Sequence, residues 1–218
     1  MKKKASKVLV DKNGNTTEYY KREEKSPFTK ANHIVAMEMI RKSALNVKAI
    51  KTFRGHDGDG YNCNIYWNHK MIGIANDFAN GGELEVDFTY DDGNVHSHPY
   101  LTNLIESLPK GSWFEYSSGG GASWNIDAIV NFLVFDKLNE KEMKKMLKKV
   151  ACYDTKKNTL STWNCKAQEI DNVFNFKEEK GITLFEYIKK YNKDSIVLNP
   201  LPFDVCMEYW YQANPNTI

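Results

Sequence analysis

Across residues 52–88 apolar and polar side chains alternate in short runs separated by glycine. Cys63, Ile65 and Trp67 fall on one side of an extended chain, and Asn62, Asn64 and Tyr66 on the other. Asn68-His69 then stands where a two-residue hairpin turn is expected, with a returning strand over 71–75. Asn80-Gly81-Gly82 marks a second turn, after which Leu84, Val86 and Phe88 share a face, and Asp91-Asp92-Gly93 marks a third. The block holds six of the thirteen glycines, placed at the breaks between runs, where residues tolerant of φ > 0 are needed. With a first strand over 49–53, the pattern predicts a meander of four or five antiparallel strands.

Around this block the period changes to that of helices. Residues 1–25 are polar and lysine-rich, and 7–10 with 16–20 around Asn13-Gly14 make either a hairpin or a loose arm. Ser26-Pro27 opens a helix with serine as cap and proline in the first turn. Ile34, Met37, Ile40 and Ala44 give that helix its apolar face, to about residue 46. Residues 100–108 read as a short helix ended by Pro109, and 113–116 as a strand leading into a glycine loop at 117–121.

The second half reads as mostly helical. Ile126, Ile129, Val130, Leu133, Val134 and Leu138 recur at helical spacing. Asn139, with Glu142 three residues on, caps a further helix whose inner face is Met143, Met146, Leu147 and Val150. Strands are expected over 159–165 and 195–198, helices over 168–176 and 183–191, and a final helix or strand over 203–212. The whole is an α+β chain: a central antiparallel β-meander flanked by helices. It divides at 1–25, 26–116 and 117–218, the last two forming one domain or two small ones.

A chain of 218 residues can bury a sizeable core, and its 13% of aromatic residues argues against disorder. The net charge of +2 is too small to imply nucleic acid by itself. Cys63, Cys152, Cys165 and Cys206 are far apart with no CxxC pair, so they read as reduced thiols rather than a disulfide or zinc framework. Lys2, Lys3 and Lys4 are followed by no apolar signal segment, and no apolar run approaches membrane-spanning length. The expectation is a soluble cytoplasmic protein with no membrane partner and no cofactor.

Four features carry candidate chemistry. His96-Ser97-His98-Pro99 places two histidines on one face of a strand, where they can share a metal ion. The tetrapeptide resembles the His-x-His-Pro core of the JAMM metalloproteases, which implies zinc and a downstream Ser-x-x-Asp. Here Ser107 is followed three residues later by Lys110, so that aspartate is missing, and no metal site is assigned to His96 and His98. His56-Asp57-Gly58-Asp59-Gly60 alternates oxygen ligands with glycine, but Tyr61, Asn62 and Ile65 break the EF-hand pattern. Arg54, His56, Asp57, Asp59 and Tyr61 then read either as a binding loop, with Arg54 on a carboxylate or phosphate and Tyr61 as an apolar anchor, or as a turn pinned by Arg54 pairing with an aspartate. The glycine loop before Ile126 is either an anion cradle at a helix start or a plain surface loop. Finally, Lys137, Lys141, Lys144, Lys145, Lys148 and Lys149 crowd one helix. Lys141, Lys145 and Lys148 would be its contacts to nucleic acid or an acidic surface, unless it is only a solvated face.

The stretch FRGHDGDGYNCNIYW, with NHK, MIG and IANDFANGGELEVDF after it, resembles a pattern in small uncharacterised proteins of bacteriophages and mobile elements. There a Phe-Arg-Gly-x-x-Gly segment leads to a tyrosine strand, a short turn and a Gly-Gly hairpin. This chain departs from it at Asn68-His69, where glycine is usual. The resemblance covers about a sixth of the chain and implies a phage accessory protein, a class rich in inhibitors of host defence. The function expected is a non-enzymatic binder of a bacterial host protein or nucleoprotein complex, with nucleic acid reached through the lysine helix. Two alternatives are a metal-dependent hydrolase using His96 and His98, and a small-nucleotide sponge using Arg54, the glycine loop and exposed aromatics such as Trp124.

Overall fold

The computed structural model describes residues 28–89, 99–115, 117 and 120–214, and the backbone of two short strands at 7–10 and 16–19. The turns at Asn13-Gly14 and Asp91-Asp92-Gly93, the Ser26-Pro27 helix start, and His96 with His98 lie outside the described residues. The chain is α+β. It divides into two compact units, Met1–Ser43 with His96–Ala128, and Ala44–Val95 with Ile129–Ile218.

The first unit contains the antiparallel hairpin β1 (Lys7–Val10) and β2 (Thr16–Tyr19), then α1 (Lys30–Lys42) and α2 (Pro99–Ser107). Thr29 is the cap of α1, accepting the Asn32 amide at 3.2 Å. The helix is shorter than its periodicity suggests: it ends at Lys42, because Leu45 already belongs to a strand. Ala36, Met37 and Ile40 are buried on it. Over the described residues 113–115 of the expected strand, no regular strand forms. A single bridge joins Glu115 to Gly121, and Trp113 and Phe114 exchange backbone hydrogen bonds with Ala122.

In the second unit β3 (Leu45–Gly55), β4 (Gly58–Trp67), β5 (Lys70–Asp77) and β6 (Glu85–Phe88) pair antiparallel in chain order. Cys63 and Ile65 of β4 are buried and Asn62, Asn64 and Tyr66 are half-exposed, as the alternation predicts, but Trp67 at the end of the strand is half-exposed too. The β4–β5 turn holds Asn68 and His69 at φ 46° and 69°. That is the left-handed pair a two-residue hairpin needs, and it suits Asn-Gly far better than Asn-His. His69→Gly should therefore stabilise the protein by about 1 kcal/mol and raise the melting temperature by about 3 °C. An unchanged melting curve by circular dichroism would mean that the histidine side chain offsets its backbone cost.

The rest of the unit begins within α3 (Ile126–Met146), from Ile129 on, followed by β7 (Lys149–Asp154), β8 (Thr159–Lys166), β9 (Val173–Asn175) and β10 (Lys180–Thr183). Then come α4 (Leu184–Tyr191), β11 (Ser195–Val197) and α5 (Phe203–Ala213). Three segments differ from expectation. Asn139 caps nothing, since α3 runs unbroken through it and buries it. Val150 belongs to β7 rather than to a helix face. Residues 168–176 are not helical: a single 3₁₀ turn, Ala167–Glu169, leads to β9, which pairs with β10.

β7 is the middle strand of the sheet β11-β7-β8 and is covered on both faces. Ala151 and Tyr153 pack with Met143, Leu198, Cys206 and Met207, while Val150 and Cys152 pack with Leu184, Ile188 and Val197. A strand buried on both sides has no polar face to alternate, so Val150-Ala151-Cys152-Tyr153 is apolar throughout. Thr183 caps α4 in a capping box with Glu186. No helix among the described residues is long and apolar enough to cross a membrane.

Candidate functional site

The β3–β4 hairpin closes at Gly55 and Gly58, leaving His56-Asp57 as its turn. The Asp57 amide donates to the Ala79 carbonyl at 2.8 Å, and the Ala79 amide donates to Asp77 Oδ1 at 2.9 Å. The loop after β5 is thus laced to the hairpin tip. Gly55 and Gly60 are explained by this approach, and Gly58 by its φ of 128°. A Cβ on Gly55 would stand 2.5 Å from Ala79 Cβ and 2.8 Å from the Phe78 carbonyl, and one on Gly60 would stand 2.4 Å from the Asp77 carbonyl. What the glycine backbone comes close to is therefore the chain's own 77–79 segment.

The side chains on this tip point outward. Arg54 and Asp59 are 85% and 77% exposed and pair loosely at 3.9 Å. His56 Nδ1 donates to Asp57 Oδ1 at 2.8 Å, since a carboxylate oxygen can only accept. Pairs this exposed contribute little stability. The tip is held by backbone hydrogen bonds and close packing, so its charged groups are available. Beside them Phe53 and Phe78 are 39% and 48% exposed. The sequence does not single out Phe78, which falls between the returning strand expected over 71–75 and the turn expected at Asn80-Gly81-Gly82.

Tyr61 requires a correction. Its ring is 3% exposed and its hydroxyl donates to Asn131 Oδ1 of α3 at 2.6 Å. It fastens the sheet to α3 instead of anchoring a ligand at the tip.

The lysine helix carries its own neutralising acids. Lys137 and Lys144 reach Glu140 at 3.3 and 3.5 Å, and Lys145 reaches Glu142 at 3.4 Å. Lys144 also sits 4.9 Å over the Phe203 ring. Lys141 is exposed on α3, whereas Lys148 lies past its end, in the turn to β7. Lys141, Lys145 and Lys148 therefore do not form one unbroken basic stripe.

In the first unit Trp124 is likewise not exposed. It is 3% accessible, and its Nε1 donates to the buried Ser112 hydroxyl at 3.0 Å. The Trp113 and Trp124 ring centroids lie 4.4 Å apart. His33 stacks on Trp124 at 5.9 Å and donates from Nδ1 to the Ser112 carbonyl at 2.7 Å. Sequence reading missed this cluster, because only the fold brings α1 next to the loop at 112–124. Gly121 passes against Gly111 there, backbone to backbone. Close chain packing accounts for this glycine, without any anion.

Among the described residues no three histidine, cysteine, aspartate or glutamate side chains gather as a metal site. The four cysteines are free, and burial pushes the Cys63 and Cys152 thiols up to about 11, leaving them protonated and unreactive at neutral pH. No protein-family model, curated protein or solved structure matches the chain.

Proposed function

We propose that the protein is a non-enzymatic binding protein that docks the β3–β4 tip onto a protein partner. The resemblance at residues 53–88 extends the proposal to a phage-type inhibitor of a bacterial defence or nucleic-acid-processing complex. The observation that carries the reading is the pairing of two exposed phenylalanines with Arg54 on a backbone laced to residues 77–79. Aromatic and arginine side chains dominate binding energy at protein interfaces. A tip already held in one conformation loses little entropy on docking.

The test is affinity capture from bacterial lysate, identification of the partner by mass spectrometry, and titration of that partner against tip variants. Arg54→Ala and Phe78→Ala should each weaken binding at least about tenfold, or about 1.4 kcal/mol. Neither should move the melting temperature appreciably, since both side chains are exposed. Undiminished binding by both variants would rule the tip out as the contact.

A further inference from the structure

The two edges of the four-stranded sheet carry opposite charge. Among the described residues, β3 is hydrogen-bonded only to β4, and β6 only to β5. Along β3, Lys48, Lys51, Thr52, Phe53 and Arg54 are all exposed. Along β6, Glu85 and Asp87 are exposed, with Glu83 just before them. Pairing two β3 edges would set lysine against lysine, and pairing two β6 edges would set acid against acid. Directly opposed like charges destabilise a strand pair. Only the unlike pairing is free of that penalty.

The topology favours the same pairing. A meander with an even number of strands has outer strands that run in opposite directions. A copy of the sheet placed beside β6, in the same orientation, therefore presents its β3 antiparallel to that strand. The register of β3 on β4 slips between Lys48 and Lys51, where Ala49 takes φ 54°. Lys48 is paired with Asn64 and Lys51 with Asn62, so the bulge leaves both lysines on one face of the sheet, spaced as Glu85 and Asp87 are on β6. Faces correspond as well. Lys51 is paired with Asn62 and Glu85 with Asn76, while Asn62 and Asn76 oppose each other, so Lys51, Glu85 and Asp87 share one face of the sheet.

We propose that a second copy of this chain docks its β6 edge on the β3 edge of the first, Glu85 and Asp87 meeting Lys48 and Lys51, and continues the sheet head to tail. The contact is heterologous, so each copy keeps one edge of each sign for a further neighbour.

Sedimentation velocity tests this with the full chain. The wild-type weight-average mass should rise with protein concentration, and the rise should fade as sodium chloride is added, because exposed charges are screened. Lys48→Glu with Lys51→Glu gives a chain with two acidic edges, and Glu85→Lys with Asp87→Lys gives one with two basic edges. Each double variant alone should sediment as a monomer. An equimolar mixture of the two should associate again, which also shows that both are folded. A wild type that stays monomeric at the highest concentrations would overturn the proposal. So would a mixture that stays monomeric, or a double variant that associates as the wild type does.

Discussion

Gly121→Ala is expected to collapse the packing of the loop around Trp113 and Trp124. The added methyl would stand 1.7 Å from the Gly111 carbonyl oxygen and 2.5 Å from its carbon. Both are backbone atoms with no rotamer to change, so the two segments must part. They are held together by Trp113 N–H to the Ala122 carbonyl at 2.8 Å, Ala122 N–H to the Phe114 carbonyl at 2.7 Å, and Gly111 N–H to Ser123 Oγ at 3.1 Å. Separating them breaks these bonds and withdraws Ser112 from His33 and Trp124. The cost should exceed about 4 kcal/mol, a size reserved for disruptions of this kind. Near-ultraviolet circular dichroism should show the tryptophan signal lost. Gly82→Ala is the control: its methyl meets only the Asn80 side-chain amide, at 2.9 Å for the oxygen, and that group can rotate away. It should cost less than about 1 kcal/mol. If Gly121→Ala melts like Gly82→Ala, the Gly111–Gly121 approach is wrong.

A second large effect is expected at Asn199, one side chain that closes three backbone groups. Its Oδ1 accepts the Ala151 amide at 2.8 Å, and its Nδ2 donates to the carbonyls of Leu147 at 3.1 Å and Lys149 at 2.9 Å. It thereby joins the end of α3 to the start of β7, beside the Leu198 N–H bond to the Ala151 carbonyl. Asn199→Ala leaves all three groups without a protein partner and should cost about 2–3 kcal/mol. Asn199→Asp should be worse, although it keeps the acceptor for Ala151. It places carboxylate oxygen where an N–H faced two carbonyls, turning two attractions into repulsions. Chemical denaturation of the three proteins at neutral pH checks the order: wild type, then alanine, then aspartate. An aspartate variant as stable as the wild type would show that these bonds carry no net stability.

Neither glycine 121 nor asparagine 199 stands out in the sequence, and the reason is general to this fold. Features set by neighbours along the chain are legible. The β4–β5 hairpin follows from alternation and a two-residue turn, α2 from a short apolar repeat, and α4 from threonine and glutamate three apart. Features set by distant neighbours are not. β7 is strand because helices cover both its faces, and its unbroken apolar run looks the same as a helix face. β9 has three residues and too little local preference to declare itself; it exists because β10 pairs with it. Asn139 looks like a cap only to a reader who cannot see that the helix continues beneath it. At the candidate site the composition of the tip was readable, in Arg54, His56, Asp57 and Asp59. Its lacing to residues 77–79 was not, nor was the turn of Tyr61 inward to Asn131. Both depend on segments that meet only once the sheet is folded.

The chain passes between its two units at Ser43/Ala44, at Val95/His96 and at Ala128/Ile129. Neither unit is contiguous, and this constrains the gene as much as the protein. A recombination breakpoint anywhere between codons 44 and 128 leaves both units with halves of different parentage. Two diverged copies exchanging segments there would have to match two interiors at once. Breakpoints should therefore be rarer between codons 44 and 128 than on either side of that stretch.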